Sequence, residues 1–333
     1  MTTTVRGKMA KITTYDFIDE NKRKTIILMA LFPITLVIMV YAVILLFSFM
    51  SGDGQGSQYN PLDTANQMAM LILPLVSAAA ITWILISYFF GQKIILSTAG
   101  AVELTSKTAP EIIRMVENIA ITAGLPMPKV YAINDNGMNA FATGRDPEHS
   151  YVALTKGLIN NLEKSELEAV IAHEMAHIGN RDIRTMLIMI VCISFATIVA
   201  EILLRMAWFR RGGKNNGAQL LLFALAIAFY LYGFLVAPLL KFAVSRTREF
   251  QADATAALIT RNPQGLIGAL RKISGKSMVE SLRDKESMSA MCIESPLSED
   301  KKNSFFSKLS GLFATHPPIE ARIKALQAMD GQR

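Results

Sequence analysis

Hydrophobic positions along this chain fall into two regimes. Residues 25–50 and 68–90 are apolar runs without a charged side chain, each long enough as a helix to cross ~30 Å of hydrocarbon. Both contain a proline, Pro33 and Pro74, which membrane helices tolerate because neighbouring groups satisfy the freed backbone. Two further runs, 185–204 and 218–240, bracket a short loop carrying Arg205, Arg210, Arg211 and Lys214. Elsewhere the period changes. Ile112, Val116, Ile119 and Ala123 make one stripe of a helix over 108–124, with Thr108 as cap, Pro110 in the first turn and Gly124 as stop. Residues 129–133, 138–143 and 151–154 are short apolar segments set apart by turn residues, the pattern of strands. Leu167, Val170, Ile171 and His177 recur at helical intervals up to Gly179 and Asn180, and Ser165 followed by Glu168 reads as a capping box. Residues 319–329 read as a closing helix.

The expected fold class is an integral membrane protein, mainly α with a small β-sheet, in which a multi-span helical membrane region carries a cytosolic α+β domain. Residues 1–24 form a cytosolic N-terminal segment and 25–90 a two-span anchor. Residues 91–182 and 245–333 form the folded domain, and 183–244 a hydrophobic hairpin of two membrane helices inserted within it. A hydrophobic share of 51% and a mean hydropathy of +0.33 are high for a soluble chain and agree with this division. The first run is too long for a signal-peptide core of ~7–15 residues and no small-residue cleavage site follows it, so an uncleaved anchor is expected.

Charge sets the orientation. Lys22, Arg23 and Lys24 precede the first run, whereas 51–67 holds Asp53 and Asp63 and no Lys or Arg. The positive-inside rule then puts the N-terminus and everything after residue 90 in the cytoplasm; the membrane expected is the cell (inner) membrane. The basic loop between the later runs conflicts with that rule if both cross. Either the first pair and the large cytosolic load dominate, or the second pair enters the membrane incompletely; four membrane helices are the favoured reading. The net charge of +7 lies largely beside the membrane segments, where it suits anionic headgroups. No basic patch interleaved with aromatics points to nucleic acid. Cys192 sits in an apolar run and Cys292 in a polar segment, so no disulfide is expected.

One constellation carries chemistry. His173, Glu174, Met175, Ala176 and His177 spell H-E-x-x-H inside a helical pattern. Imidazoles four residues apart project from one face and meet one metal ion, and the glutamate beside them suits a general base. Only four histidines occur in the chain and two lie here, which argues against coincidence. A catalytic site of this kind needs a third protein ligand and an open position. The extended three-histidine pattern would require Gly at 180 and His at 183; these are Asn180 and Ile183. Glu201 has a suitable spacing, but in a continuous helix it lies roughly 35 Å from His177 at ~1.5 Å per residue, and an ion pair with Arg205 suits it better. Glu249 and Asp253 share a helical face after the hairpin. One carboxylate suits the metal and the other the free N–H of a ligating imidazole. A hairpin brings its two ends, and so His177 and Glu249, together.

Four blocks, HEMAHIGNRD (173–182), SRTREFQAD (245–253), NAFATG (139–144) and THPPIEARI (315–323), resemble those of the HtpX-type membrane metallopeptidases, relatives of the CAAX prenyl endopeptidases. The resemblance covers most of the chain and no motif position departs from it. It implies a zincin-like peptidase domain with Zn2+ on His173, His177 and Glu249, Glu174 as catalytic base, and Asp253 as a supporting acid or proton donor. It implies that Asn139, Ala140 and Phe141 belong to an edge strand along which an extended peptide is laid. His316 is placed over the active site, as oxyanion donor or as a cap on the zinc, against the plainer reading of a helix-entry residue. Arg322 is a weaker candidate for polarising the same oxyanion.

The function expected is a membrane-embedded zinc endopeptidase acting on misfolded or damaged membrane proteins in quality control and stress response. Its expected partners are membrane lipids and unfolded or membrane-protein substrates, with a homo-oligomer an open possibility. The alternatives are a prenyl-peptide processor, for which four spans are too few to enclose a chamber, and a non-catalytic zinc scaffold, which would have no use for Glu174. Residues 284–310 read as a surface loop and His149 as an exposed loop histidine.

Overall fold

The computed structural model describes residues 14–51, 60–209, 216–243, 246–274, 276, 292 and 317–330. Two 38-residue helices open the chain, α1 (Thr14–Ser51) and α2 (Pro61–Thr98). Asn60 caps α2 by accepting the Leu62 N–H, and Pro61 occupies the first helical position, where a missing N–H costs nothing. Ile34, Ile38 and Leu46 of α1 and Met70, Leu71 and Leu75 of α2 face outward. A water-facing surface of that size and apolarity is unfavourable, whereas lipid accepts it.

Among the described residues three helices are long and apolar enough to cross a membrane: Lys22–Met50, Pro61–Thr98 and Asp182–Phe209. The last is α6 (Asp182–Phe209), and α7 (Asn216–Ala243) packs against it. The described apolar part of α7 is the shorter Gln219–Gly233. Inside this bundle Phe32, Leu36, Val40, Ile44, Phe195 and Phe229 make an apolar core. Polar pairs tie α1 to the hairpin: Thr25 to Thr185 at 2.9 Å, buried, and Thr35 to Tyr232 at 2.6 Å, partly buried.

Between the membrane helices lies a mixed sheet of β1 (Ala101–Leu104), β2 (Lys129–Ile133), β3 (Ala140–Gly144) and β4 (Ser150–Thr155) in the order β1-β2-β4-β3. β2 and β4 are parallel and both outer pairs antiparallel. β1, with two exposed residues out of four, has no alternating run long enough to be visible in the sequence. Helix α3 (Pro110–Ala123) ends at Gly124 in the left-handed region, φ 65°, which glycine adopts without strain. Its N-cap is Ala109 rather than the expected Thr108, whose hydroxyl instead bonds Thr105. After α4 (Lys156–Asn161) the motif helix α5 (Lys164–Gly179) starts with a capping box formed by Glu163 and Glu166, two residues earlier than the Ser165–Glu168 pair expected. Glu166 also accepts from Lys272 at 2.7 Å. Helices α8 (Arg246–Thr260) and α9 (Pro263–Ile273) close over α5, and α10 (Ile319–Asp330) packs on α8 and α9. A side chain at Gly265 would meet the Ser165 carbonyl at 2.7 Å, so α9 approaches α5 closely only because glycine stands there.

Candidate metal centre

Helix α5 is buried on nearly every side, which explains why its apolar pattern is not a single stripe. His173, Glu174 and His177 point into its centre, at 1%, 2% and 8% exposure. Burying three polar side chains of one helix is costly unless each finds partners. The His173 and His177 rings stand 4.7 Å apart at 89°, with their Nε2 atoms 3.1 Å from one another. Glu249, from α8, comes to 3.8 Å from each: Oε2 to His173 Nε2 and Oε1 to His177 Nε2. Ligand atoms of all three residues lie within 4.8 Å of one another. The hairpin therefore brings together residues that the chain separates by seventy-odd positions.

The other ring nitrogens face carboxylates. His177 Nδ1 lies 2.9 Å from Asp182 Oδ2, and His173 Nδ1 lies 3.0 Å from Asp253 Oδ1. The first contact has hydrogen-bond alignment; the second is close but poorly aligned. Such contacts fix the ring and leave Nε2 as the free lone pair. Each carboxylate in turn meets a buried guanidinium. Arg322 grips Asp253 with two bonds, 2.8 Å from Nε and 2.6 Å from an Nη. Arg248 Nε stands 3.3 Å from Asp182 Oδ2.

The local chain explains Asp182. Asn180 and Arg181 alone separate α5 from α6, and Arg181 has φ 57°. That left-handed turn folds the first residue of α6 back beneath His177. No sequence pattern by itself gives Asp182 or Arg248 a role. The signal available is position: Asp182 closes the first motif block and Arg248 immediately precedes Glu249.

The donor set suits a divalent metal. Glu174, Asp182, Glu249 and Asp253 are all at least nine-tenths buried, as are Arg248 and Arg322. Ionised, they total four negative and two positive charges, and two neutral imidazoles leave two negative charges for a divalent cation to balance. Nitrogens bound at ~2.0–2.1 Å to a tetrahedral ion lie ~3.3–3.4 Å apart, close to the 3.1 Å seen. In the metal-free chain protons supply part of that balance. Burial alone would depress His177, but the charge and hydrogen bond of Asp182, with Glu249 and Glu174, raise it to about 9. Burial lowers His173, with His177 and Arg322 adding to the effect against Asp253. Glu174 is pushed up to about 7, mainly by burial and against the pull of His177. Asp253 stays below the usual carboxylate range because Arg322 outweighs its burial.

Glu174 also accepts the backbone N–H of Ala142. The Thr155 N–H donates to the Asn139 carbonyl at 3.0 Å, and antiparallel pairs alternate, so Ala140 and Ala142 turn their main-chain groups away from β4. β3 is thus the sheet's edge, and that edge faces the motif helix. Asn139, Ala140 and Phe141 lie along it but are themselves buried. The Asn139 side chain accepts the Ala140 N–H at 3.0 Å, and the Phe141 ring packs in the cluster with Met186, Val191 and Cys292.

The remaining candidates fall elsewhere. Glu201 pairs with Arg205 at 3.6 Å on an exposed stretch of α6, apart from the centre. His149 is half-exposed beside Asp146 and Glu148. Cys292 is buried rather than in a polar setting, and both cysteines are free thiols. His316 lies outside the described residues, as does 284–310 apart from Cys292.

Comparison with known proteins gives one consistent answer. The model of Peptidase family M48 matches residues 106–330. A "Protease HtpX homolog" of Bacteroides fragilis is 41% identical over 315 residues, covering 93% of this chain and 96% of that protein. Homologues of the same name from Dictyoglomus thermophilum and Listeria monocytogenes are 37% and 40% identical, with 98% and 95% of this chain covered and 97% and 99% of theirs. The crystal structure of S. mikatae Ste24p aligns over 86% of this chain and 62% of its own, at 19% identity and a TM-score of 0.44, too low to bear on the argument. With three membrane-length helices among the described residues, and with a metal-competent centre that lies inside the matched region, the chain belongs to peptidase family M48, as a multi-pass membrane metalloendopeptidase.

Proposed function

We propose that the metal is zinc, held by His173, His177 and Glu249, and that the enzyme cleaves unfolded or damaged membrane proteins from the cytoplasmic face as part of protein quality control. The observation that carries this reading is the convergence of two imidazoles and one carboxylate, with Glu174 beside them, at the base of a membrane hairpin. Two nitrogens and one carboxylate oxygen are the donor set of catalytic zinc, and three protein ligands leave one position open.

Bound zinc supplies a Lewis acid that polarises a carbonyl and lowers the pKa of water to ~7. The chain does the rest. Glu174 receives a proton at its carboxylate and delivers it to the leaving amine, the general acid–base role of a carboxylate held beside the metal position. The N–H of Ala142 fixes the position of that carboxylate. The outward carbonyls of Ala140 and Ala142, whose own N–H groups are taken by Asn139 and Glu174, accept from the backbone of an extended peptide, which reads backbone shape with little regard for side chains. Asp253 and Asp182 hold the two imidazoles in one tautomer. Lys22, Arg23 and Lys24 ahead of the first span support the cytoplasmic orientation, and His316 is assigned to the oxyanion on the resemblance alone.

Glu174→Gln in the full-length chain tests the mechanism. Cleavage of an unfolded protein should fall ~10²–10⁴-fold while the metal content per chain stays that of the parent. Undiminished cleavage removes Glu174 from the mechanism.

A further inference from the structure

We propose that Asp182 and Arg248 are a positioning pair that ties the metal site to the base of the membrane hairpin. The proposal rests on the assignment of His177 and Glu249 as ligands, and deepens it. Asp182 is the first residue of α6, Met186 follows one turn later, and Arg248 stands near the start of α8, just beyond the end of α7. These residues mark where the chain leaves the domain for the hairpin and where it returns.

One guanidinium reaches all of them. Arg248 Nε is 3.3 Å from Asp182 Oδ2, the same oxygen that faces His177 Nδ1 at 2.9 Å. Its Nη2 lies 3.4 Å from the Met186 sulfur and 3.8 Å from Glu249 Oε1. A single buried cation thus contacts the carboxylate that orients one ligand, the carboxylate that is another ligand, and a side chain on the first turn of α6. Asp182 is fully buried and Arg248 nearly so. Neither is needed to cross the membrane or to fill the apolar core, and a buried ion pair is weak evidence of a gain in stability. The role that accounts for its cost is geometric: it sets the His177 ring and the Glu249 carboxylate relative to each other, using the two roots of the hairpin as the frame. Met186 also packs in the cluster at the junction of sheet and membrane helices, so a tilt of α6 would reach the ligands through these contacts.

The test is the zinc dissociation constant of the full-length chain, read by competition with a fluorescent chelator under conditions where circular dichroism shows every variant folded. Asp182→Asn and Arg248→Gln should each weaken binding ~10–100-fold. Asp182→Asn combined with Arg248→Gln should be no worse than the weaker single variant, because both act on one element. Arg248→Lys should recover part of the loss, since it keeps the charge but not the planar fork. Glu201→Gln, at the far end of α6, should bind zinc as the parent does. Unchanged affinity in Asp182→Asn and Arg248→Gln overturns the proposal while leaving the ligand assignment intact, and losses that multiply in the double variant overturn it too. Unchanged affinity in Glu249→Ala overturns the ligand assignment itself, and this proposal with it.

Discussion

Arg322 and Arg248 stand on opposite sides of the paired histidines, each beside an aspartate that faces a ring nitrogen, and they divide their strength in opposite ways. On the α10 side the carboxylate–guanidinium link is the firm one. Arg322 is fully buried and holds Asp253 by two bonds of 2.6 and 2.8 Å, while His173 contacts Asp253 without good alignment. On the hairpin side the imidazole–carboxylate bond is firm, and Arg248 spreads its contacts over Asp182, Glu249 and Met186. Histidines one turn apart on the same helix consequently shift in opposite directions, His177 up to about 9 and His173 down. Asp253 has its charge answered by Arg322, and Arg322 also lies 3.4 Å from His173 Nε2, so His173 gains little from becoming cationic. The charge of Asp182 is less fully answered, and it draws a proton to His177. An aspartate beside a histidine therefore does not by itself fix that histidine's protonation state; what else holds the aspartate does.

Glu249 joins the halves, with one oxygen toward His173 and Arg322 and the other toward His177 and Arg248. Glu249→Ala should break both sides together and give the largest effect of any variant, loss of the metal and with it of activity. Metal content after gel filtration checks this, and full occupancy would show that the two histidines bind without it.

The next effect separates the sides. Arg322→Met strands Asp253 as an uncompensated buried charge, which typically costs ~3–5 kcal/mol. Arg248→Met should cost the metal-free chain less, on the order of 1–3 kcal/mol, because its contacts are longer and the His177–Asp182 bond survives. Chemical denaturation of the two metal-free variants decides the order, and equal losses would mean that the asymmetry in distances has no energetic counterpart.

A third measurement addresses protonation directly. In the metal-free chain, His177 should remain protonated up to about pH 9 and His173 stay neutral below its ordinary range, as followed by NMR of ring-labelled histidine. The sign for stability follows. A folded-state pKa above the unfolded value of ~6.5 contributes stability that is complete below that value and is lost as pH rises through about 9. His173 acts in the opposite sense. Titration of both rings near 6.5 would remove the distinction.

How much of this was legible in the sequence depended on whether the cause was local. His173, Glu174 and His177 are readable because helical spacing alone presents them together. The long spans are readable because lipid demands unbroken apolar runs. Glu249 and Asp253 are legible only by setting Glu201 aside and supposing a hairpin, an argument about chain ends rather than contacts, and the resemblance assigns the metal to Glu249. Arg322 was named for the oxyanion, whereas its guanidinium is engaged with Asp253, and no pattern announces an ion pair across 69 positions. Asp182 and Arg248 are not legible, because the left-handed turn at Arg181 that delivers Asp182 to His177 has no sequence signature in a residue that normally avoids that region. Strand β1 and the true cap of α5 were missed for a similar reason: short elements are stabilised by their neighbours more than by their own pattern.

The smallest expected effect tests whether the hairpin side has support of its own. Thr185 lies one turn into α6 from Asp182 and pairs with Thr25 of α1 at 2.9 Å in a buried setting, so α1 helps to hold the end of α6 that carries Asp182. Among the described residues no comparable membrane contact reaches Asp253, which is held by Arg322 of α10. Hydrogen bonds between membrane helices average ~0.6 kcal/mol, and Thr25→Val should cost about that much in reversible unfolding of the membrane region. If the frame is as coupled as the Arg248 contacts suggest, the same variant should raise the rate of zinc loss to a chelator by a small factor, about 2–3-fold for ~0.6 kcal/mol. The rate should be unmoved by a change of similar size further along α1, such as Thr35→Val, whose partner Tyr232 lies on α7. Equal responses to the two would mean that the bundle acts on the site as a whole and that the Thr25–Thr185 bond has no privileged route to it.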